Sequence, residues 1–353
     1  MTSRIRAFLR HAWVYLLYYS GRLAWAKRQV VASGGTIGLT FHRVLSEEDR
    51  RTSNSPAGMV ISVKTFAALA DYIARECVGM DLKDAGASPA GDREKPRMAI
   101  TFDDGWLDNA VHAAPILRKR KLPCAIFICS DMMGKTLPFW PERLAAIHKA
   151  ADRCGKLAKF TEIVTGRLEA PLTSLESQSP AALIERIKRL SSGQRKQLLQ
   201  ELDTIADLPK TTAESNCDAT MSWEEARQLA AEGVRFGSHT VHHEILTNVP
   251  EADARREIQE SARAIEAKLG QPCKLFAYPN GGWSPSVRDF VAHAGYEFAF
   301  ANKPGVWKME TNHWSIPRCN IWEGAVVDAS GKFSPAHFEY IVYWRPVRSS
   351  RNG

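Results

Sequence analysis

The sequence predicts an α/β fold: a (β/α) barrel, complete or distorted, with a helical insertion in one of its loops. Three observations carry that expectation. Short apolar runs alternate with amphipathic helical stretches, a pattern that makes a parallel sheet covered by helices. About seven or eight such units suit a closed sheet better than an open one. The polar residues that could do chemistry all fall where predicted strands end, which is where barrels keep their sites.

Thr36–Phe41 reads as the first strand. Lys64–Glu76 reads as a helix, because Phe66, Leu69, Ala70 and Ile73 share one face. Met98–Phe102 is an apolar strand running into Asp103-Asp104-Gly105, and a helix follows from Asp108 to near Lys121. Cys124–Cys129 is another buried strand. Ser222-Trp223-Glu224-Glu225 fits a capping box, opening a helix that stops at Gly233. Strand Val234–Gly237, helix Pro250–Leu269, strand Lys274–Tyr278, helix Pro285–Ala294 and strand Tyr296–Ala301 follow in alternation. Trp314–Ile316 is expected as one more strand. Phe139–Ala219 breaks the rhythm and reads as helices, among them Pro180–Leu190 and Gln194–Ala206. The expected organisation is therefore a basic aromatic arm at 1–33, a barrel at 34–330 with an insertion at about 139–219, and a tail at 331–353.

Composition narrows the function. The chain has 353 residues, 44% hydrophobic and 24% charged, as in globular proteins. No apolar run approaches the roughly 18 residues of a spanning helix. The net charge of +8 is not spread over a nucleic-acid-binding face. Residues 1–46 hold seven bases and no acid, whereas the remaining 307 hold 40 bases and 39 acids. The seven cysteines are widely spaced with no C-x-x-C pair, which favours a reducing compartment.

In the arm, Ile5, Phe8, Leu9, Trp13, Leu16 and Leu17 recur at helical spacing among Arg4, Arg6 and Arg10. With Tyr15, Tyr18, Tyr19 and Trp25, they suit a helix lying on an anionic membrane surface. A helix packed on the body is a second reading. A signal peptide cut near Ala24-Trp25-Ala26 is a third.

Three motifs carry chemistry. Asp103 and Asp104 would repel each other if both were ionised, and a bound cation would relieve that. Ser238-His239-Thr240-Val241-His242-His243 places imidazoles three and four residues apart after a strand, a zinc-type ligand spacing. Phe276-Ala277-Tyr278-Pro279-Asn280-Gly281-Gly282 is a strand entering a tight turn that can aim backbone N–H groups at a developing oxyanion.

Together Thr101-Phe102-Asp103-Asp104-Gly105, His239-Thr240-x-x-His243 and Tyr278-Pro279-x-Gly281 resemble the first three motifs of the polysaccharide deacetylases, the NodB-homology group (carbohydrate esterase family 4). Thr40-Phe41-His42-Arg43-Val44 and Trp106-x-Asp108-Asn109 add to the likeness, which covers about residues 36–325. The resemblance implies a distorted barrel and one divalent metal ion, usually Zn2+, held by Asp104, His239 and His243. It implies Asp103 as general base and the backbone N–H of Asn280 as an oxyanion donor, with His242 at a variable position. Two departures stand out. The arginine that steadies the base in the family is here Ala277, and Arg318 is the candidate replacement. The family's late Leu-x-His has no clear match, so the general acid is unassigned; His313 and His337 are the remaining C-terminal histidines.

The function this implies is removal of N-acetyl groups from amino sugars of a polysaccharide, oligosaccharide or lipid-linked glycan. The alternatives are a deacylase of a non-sugar amide or O-acetyl ester, and a non-catalytic barrel that binds glycan or lipid. The partners expected are an acetylated glycan or glycolipid and an anionic membrane surface, with no nucleic acid and no protein partner implied. The location expected is the cytoplasmic face of the inner membrane, ahead of a secreted or periplasmic one.

Overall fold

The computed structural model describes residues 3–86, 94–136, 139–170, 172–173, 179–205 and 216–349. Its strands are β1 (Thr36–Phe41), β2 (Arg43–Leu45), β3 (Val60–Ser62), β4 (Val78–Gly79), β5 (Arg97–Phe102), β6 (Cys124–Ile128), β7 (Arg235–Ser238), β8 (Leu275–Ala277), β9 (Phe298–Phe300) and β10 (Arg318–Asn320). The main sheet runs β10-β1-β5-β6-β7-β8-β9, every pairing parallel, with β4 added beside β5. One parallel bridge, Phe300 to Ile316, brings β9 next to the segment entering β10. The result is a nearly closed, distorted seven-stranded barrel.

The longer helices are α1 (Ser3–Tyr19), α2 (Arg22–Ala32), α3 (Val63–Glu76), α4 (Trp140–Arg153), α5 (Leu157–Thr165), α6 (Pro180–Ile187), α7 (Ser192–Asp203), α8 (Trp223–Ala231), α9 (Glu251–Leu269) and α10 (Pro285–His293). Their starts follow the side chains. Ser222 accepts from the Glu225 N–H while Glu225 reaches back to the Ser222 N–H, completing the expected capping box of α8. The apolar face of α3 buries Phe66, Leu69, Ala70 and Ile73.

Beyond the short strands β2, β3 and β4, which the sequence does not lead us to expect, expected and observed elements differ in three places. Trp314–Ile316 is not a strand. Asn312 folds it into a turn, accepting from the Trp314 N–H through Oδ1 at 2.9 Å and from the Ser315 N–H through its carbonyl at 3.1 Å. Pro317 then has no N–H to give a ladder, so the strand begins at Arg318. The helix after Asp108 opens as a wide π-turn over Asn109–Ala113 and becomes α-helical at Ala114–Lys119. Residues 335–349 are helical, and Phe338, Val342 and Tyr343 join the main core. Ala206, the end of the expected Gln194–Ala206 helix, lies outside the described residues.

The barrel interior is lined by small and aromatic residues, including Ala99, Ala125, Phe127, Ala277 and Phe300. The insertion has an apolar core of its own, in which Leu144, Ile147, Phe160, Leu183, Leu198 and Leu202 are buried together. Among the described residues, no helix is long and apolar enough to cross a membrane.

Candidate metal-centred active site

The parallel register aligns the motifs at one end of the barrel. Phe41 pairs with Phe102, Ile128 with Ser238, and Ser238 with Phe276, so the residues after each strand converge. Among the described residues, four of the five non-glycine residues with positive φ lie in these loops: Asp104 (76°), Thr240 (71°), His243 (60°) and Asn280 (57°). Such backbone costs of order 1–3 kcal/mol per residue and persists where the surroundings enforce it, often at functional sites. Gly281 is required by the same geometry, because a Cβ there would sit 2.6 Å from the Asn302 nitrogen.

Asp104, His239 and His243 present ligand atoms that all lie within 4.8 Å of one another. Asp104 Oδ1 is 3.6 Å from His239 Nε2 and 3.3 Å from His243 Nε2. Asp104 and His239 are held from behind, whereas His243 Nδ1 is buried with no hydrogen-bond partner. Trp106 Nε1–H donates to Asp104 Oδ2 at 2.9 Å. His239 Nδ1 lies 2.7 Å from the Ala277 carbonyl, which fixes the proton on Nδ1 and leaves Nε2 as a lone-pair donor. Burial lowers the pKa of His239, and lowers that of His243 to about 4 against the opposing pull of Asp104. Both imidazoles are therefore neutral, as ligands must be. Asp104 Oδ1 is buried with no hydrogen-bond partner. An orphaned carboxylate oxygen facing two neutral imidazoles fits a divalent cation.

Asp103 points down into the barrel, where Arg318 grips it. Arg318 donates from Nη1 to Oδ1 at 2.7 Å and from Nη2 to Oδ2 at 2.8 Å, and both residues are buried. Burial pushes the Asp103 carboxyl up, but Arg318, aided by His239, overcomes it and holds the pKa down to about 2. Arg318 also reaches Thr101 Oγ1 and the Ala301 carbonyl, and Gly38 leaves it room: a Cβ there would lie 3.0 Å from Arg318 Cγ. Ala277 stands where the resemblance leads us to expect an arginine, and the bidentate grip on Asp103 comes here from Arg318 of β10.

A cleft of about 370 Å³ opens over these groups. Asn280 lines it, with its side-chain oxygen 3.3 Å from Lys188 Nζ. His242 stays out of the cluster and pairs with Glu257 at 2.6 Å. His337 lies away from the cleft against His11, and His313 does not line it either.

Two groups of consequence carry no site assignment in the sequence reading. His42, one residue beyond β1, lines the cleft with a buried, unpartnered Nδ1. Its signal was available, since it follows a predicted strand end as the motif residues do. Glu142, in the first turn of α4, is 1% exposed and accepts from Ser55 Oγ at 3.1 Å. Burial raises its pKa to about 8 although nearby Arg43 opposes, so a neutral carboxyl lines the cleft. Nothing local in Trp140-Pro141-Glu142 distinguishes it from an ordinary helix start. Arg43, buried over the Trp106 ring at 4.0 Å, donates to Asp108 (2.7 Å) and Asp218 (2.9 Å), and so braces the indole that holds Asp104.

Comparison with known proteins agrees with this geometry. A family model described as polysaccharide deacetylase matches residues 90–155 and 204–299. A chitooligosaccharide deacetylase of Rhizobium leguminosarum bv. trifolii is 29% identical over 104 residues, 30% of this chain and 46% of that protein. The match spans less than half the length of the curated relatives. A Streptococcus pyogenes deacetylase, PplD, solved with acetate, superposes with a TM-score of 0.53 at 14% identity, covering 87% of this chain and 97% of that one. IcaB from Ammonifex degensii gives 0.51 at 17% identity, covering 82% and 92%. These structural likenesses speak for the fold.

Proposed function

We propose that the chain, which matches the polysaccharide deacetylase family model over residues 90–155 and 204–299, is a hydrolase of that family acting on carbon–nitrogen bonds, and that it removes N-acetyl groups from amino sugars of a glycan or lipid-linked glycan. The observation that carries the reading is a buried, ionised Asp103 beside a ligand set of one carboxylate and two neutral imidazoles. Asp104, His239 and His243 would hold one divalent cation, with zinc best suited to a set of two nitrogens and one oxygen. Such an ion supplies Lewis acidity toward the acetamide carbonyl.

The chain's own groups do the rest. Asp103 accepts a proton from the attacking water, and Arg318 keeps that carboxylate ionised and fixed in direction. Asn280 lines the cleft, and its backbone N–H is the donor we assign to the oxygen of the tetrahedral species. The leaving amine needs a proton, and we assign its delivery to His42. Its neighbour Phe41 accepts the Asp103 N–H at 2.9 Å, so the acid and base candidates sit on adjacent strand ends. A barrel that only binds glycan has no use for a bidentate arginine on a buried carboxylate beside a metal set. An O-acetyl ester would use the same groups, so the two substrates are separated by assay.

The test is acetate release from N-acetylated and O-acetylated oligosaccharides, with metal content measured alongside. Asp103→Asn is expected to retain metal and lose on the order of 10²-fold or more in rate, the scale of a general base. Asp104→Ala is expected to lose both. Full activity in Asp103→Asn, or stoichiometric metal in Asp104→Ala, would overturn the assignment.

A further inference from the structure

Helix α1 has two unlike faces. Its inner side buries Val14 and Leu17 and lies against α2 and the short helix Pro335–Glu339. Tyr15 meets the His337 ring edge-on at 5.5 Å, and His11 and His337 join nitrogen to nitrogen at 2.7 Å. The outer side carries Ile5, Phe8, Leu9, Trp13, Leu16 and Tyr19, all exposed, with Phe8 at 70% and Tyr19 at 81%. Their spacing of three and four residues makes one continuous stripe, and no charged residue interrupts it. Burial on the body therefore accounts for one face and leaves the larger apolar face unpartnered.

We propose that this outer face of α1 docks in the surface of an anionic lipid bilayer and sets the cleft against it, so that the amino sugar is presented from a lipid. Charge selects this occupant. Residues 1–33 hold six bases and no acid, against 41 bases and 39 acids in the remainder, and Arg43 is left out of the arm's count because it is buried against Asp108 and Asp218. A second copy would bring that same positive segment against itself, whereas an anionic surface complements it. Tyr and Trp on the stripe suit the headgroup level. Position ties the face to the cleft. Arg10 donates to the Gly324 carbonyl at 2.7 Å. Gly324 lies four residues beyond Asn320, which ends β10 and lines the cleft, so this part of α1 lies at the active end of the barrel. A cut at Ala24-Trp25-Ala26 would fall inside α2, where Leu23 and Ala26 are buried, and would remove part of the packed body. The lipid-borne substrate rests on the deacetylase reading; the docking does not.

The experiment uses the full chain and two vesicle types, phosphatidylcholine alone and phosphatidylcholine with phosphatidylglycerol. Wild type is expected to sediment with the anionic vesicles and about 10-fold less with the neutral ones, and to be released by salt. Phe8→Ser, Trp13→Ser and Leu16→Ser combined should lower binding about 10-fold or more and keep acetate release from a soluble N-acetylated oligosaccharide within about twofold. Acetate release from an N-acetylglucosaminyl lipid in the anionic vesicles should fall with the binding. No sedimentation of wild type, equal sedimentation of the triple variant, or a dimer that the triple variant converts to monomer would each overturn docking. Vesicle binding without acetate release from any acetylated sugar supports docking and counts instead against the reaction.

Discussion

The floor and the wall of the cleft are built differently. The floor is Asp103 and Asp104 just beyond β5, His239 and His243 in the loop after β7, and Arg318, which opens β10; the parallel register brings them together. The wall comes from the insertion, where Trp140, Glu142, Ile184 and Lys188 project from α4 and the end of α6. The floor shares its core with the barrel, so it cannot shift unless strands move. The wall stands on a separate core and can change as a unit. The family match cuts across this division: it runs through residue 155 and so takes in α4, with Trp140 and Glu142, and resumes at 204, leaving out α5, α6 and α7. The candidate chemical groups are thus tied to the sheet, while the helices that line the other side of the cleft rest on a core of their own.

The strongest way to break the floor is Arg318→Met. It leaves Asp103 buried without its partner, and removing one member of a buried pair costs about 3–5 kcal/mol. Burial, now unopposed by Arg318, also raises the Asp103 pKa, so activity at neutral pH should fall sharply. Asp103→Leu on the Arg318→Met background should regain part of the lost stability and none of the activity. Denaturant unfolding of the single and double variants checks this. A single variant as stable as wild type would contradict a floor held by that pair.

The same division explains what the sequence could reveal. The strands, the three motifs and the metal set were legible because parallel strands are short apolar runs and their C-terminal ends collect the chemistry. Arg318 was readable only as a candidate. Its partnership with Asp103 spans 215 residues and depends on β10 lying beside β1, which no local pattern encodes. The shift of the last strand from Trp314–Ile316 to Arg318 turned on Asn312 and Pro317, where turn chemistry overrode an apolar run. Glu142 was invisible for a different reason. Its environment is made by Ser55, Arg43 and Asp104, all from the barrel, and only the folded insertion brings it among them. The arm's stripe was legible as a pattern, but Leu17 turns inward and only packing could divide the two faces.

Glu142→Gln sharpens the comparison from the wall side. The folded pKa of about 8 lies above the ordinary 4.5, so the protein binds this proton more tightly than the unfolded chain does. The stability tied to that proton is complete below about pH 4.5 and is lost as pH rises through about 8. In metal-free protein, the glutamine variant should match wild type near pH 5 and exceed it near pH 8.5, by about 1–3 kcal/mol. Thermal unfolding in chelator at the two pH values measures this. A difference that is the same at both would show that the carboxyl is ionised throughout.

The smallest effect is expected at Lys188, where the wall touches the turn of the third motif. Its ammonium lies 2.6 Å from Glu185 and 3.3 Å from the Asn280 side-chain oxygen. Lys188 is only half-buried, so losing these polar contacts should cost little stability, on the order of 0–1 kcal/mol. Yet it closes one side of the cleft, where a bound sugar hydroxyl would meet it. Lys188→Ala should therefore raise KM about three- to ten-fold and leave kcat within about twofold, the pattern of an interaction made equally with substrate and transition state. Steady-state kinetics on a soluble acetylated oligosaccharide distinguishes the outcomes. If kcat fell as it does for Asp103→Asn while KM held, Lys188 would act on the reacting atoms through Asn280, and the division between a chemical floor and a binding wall would fail at that point.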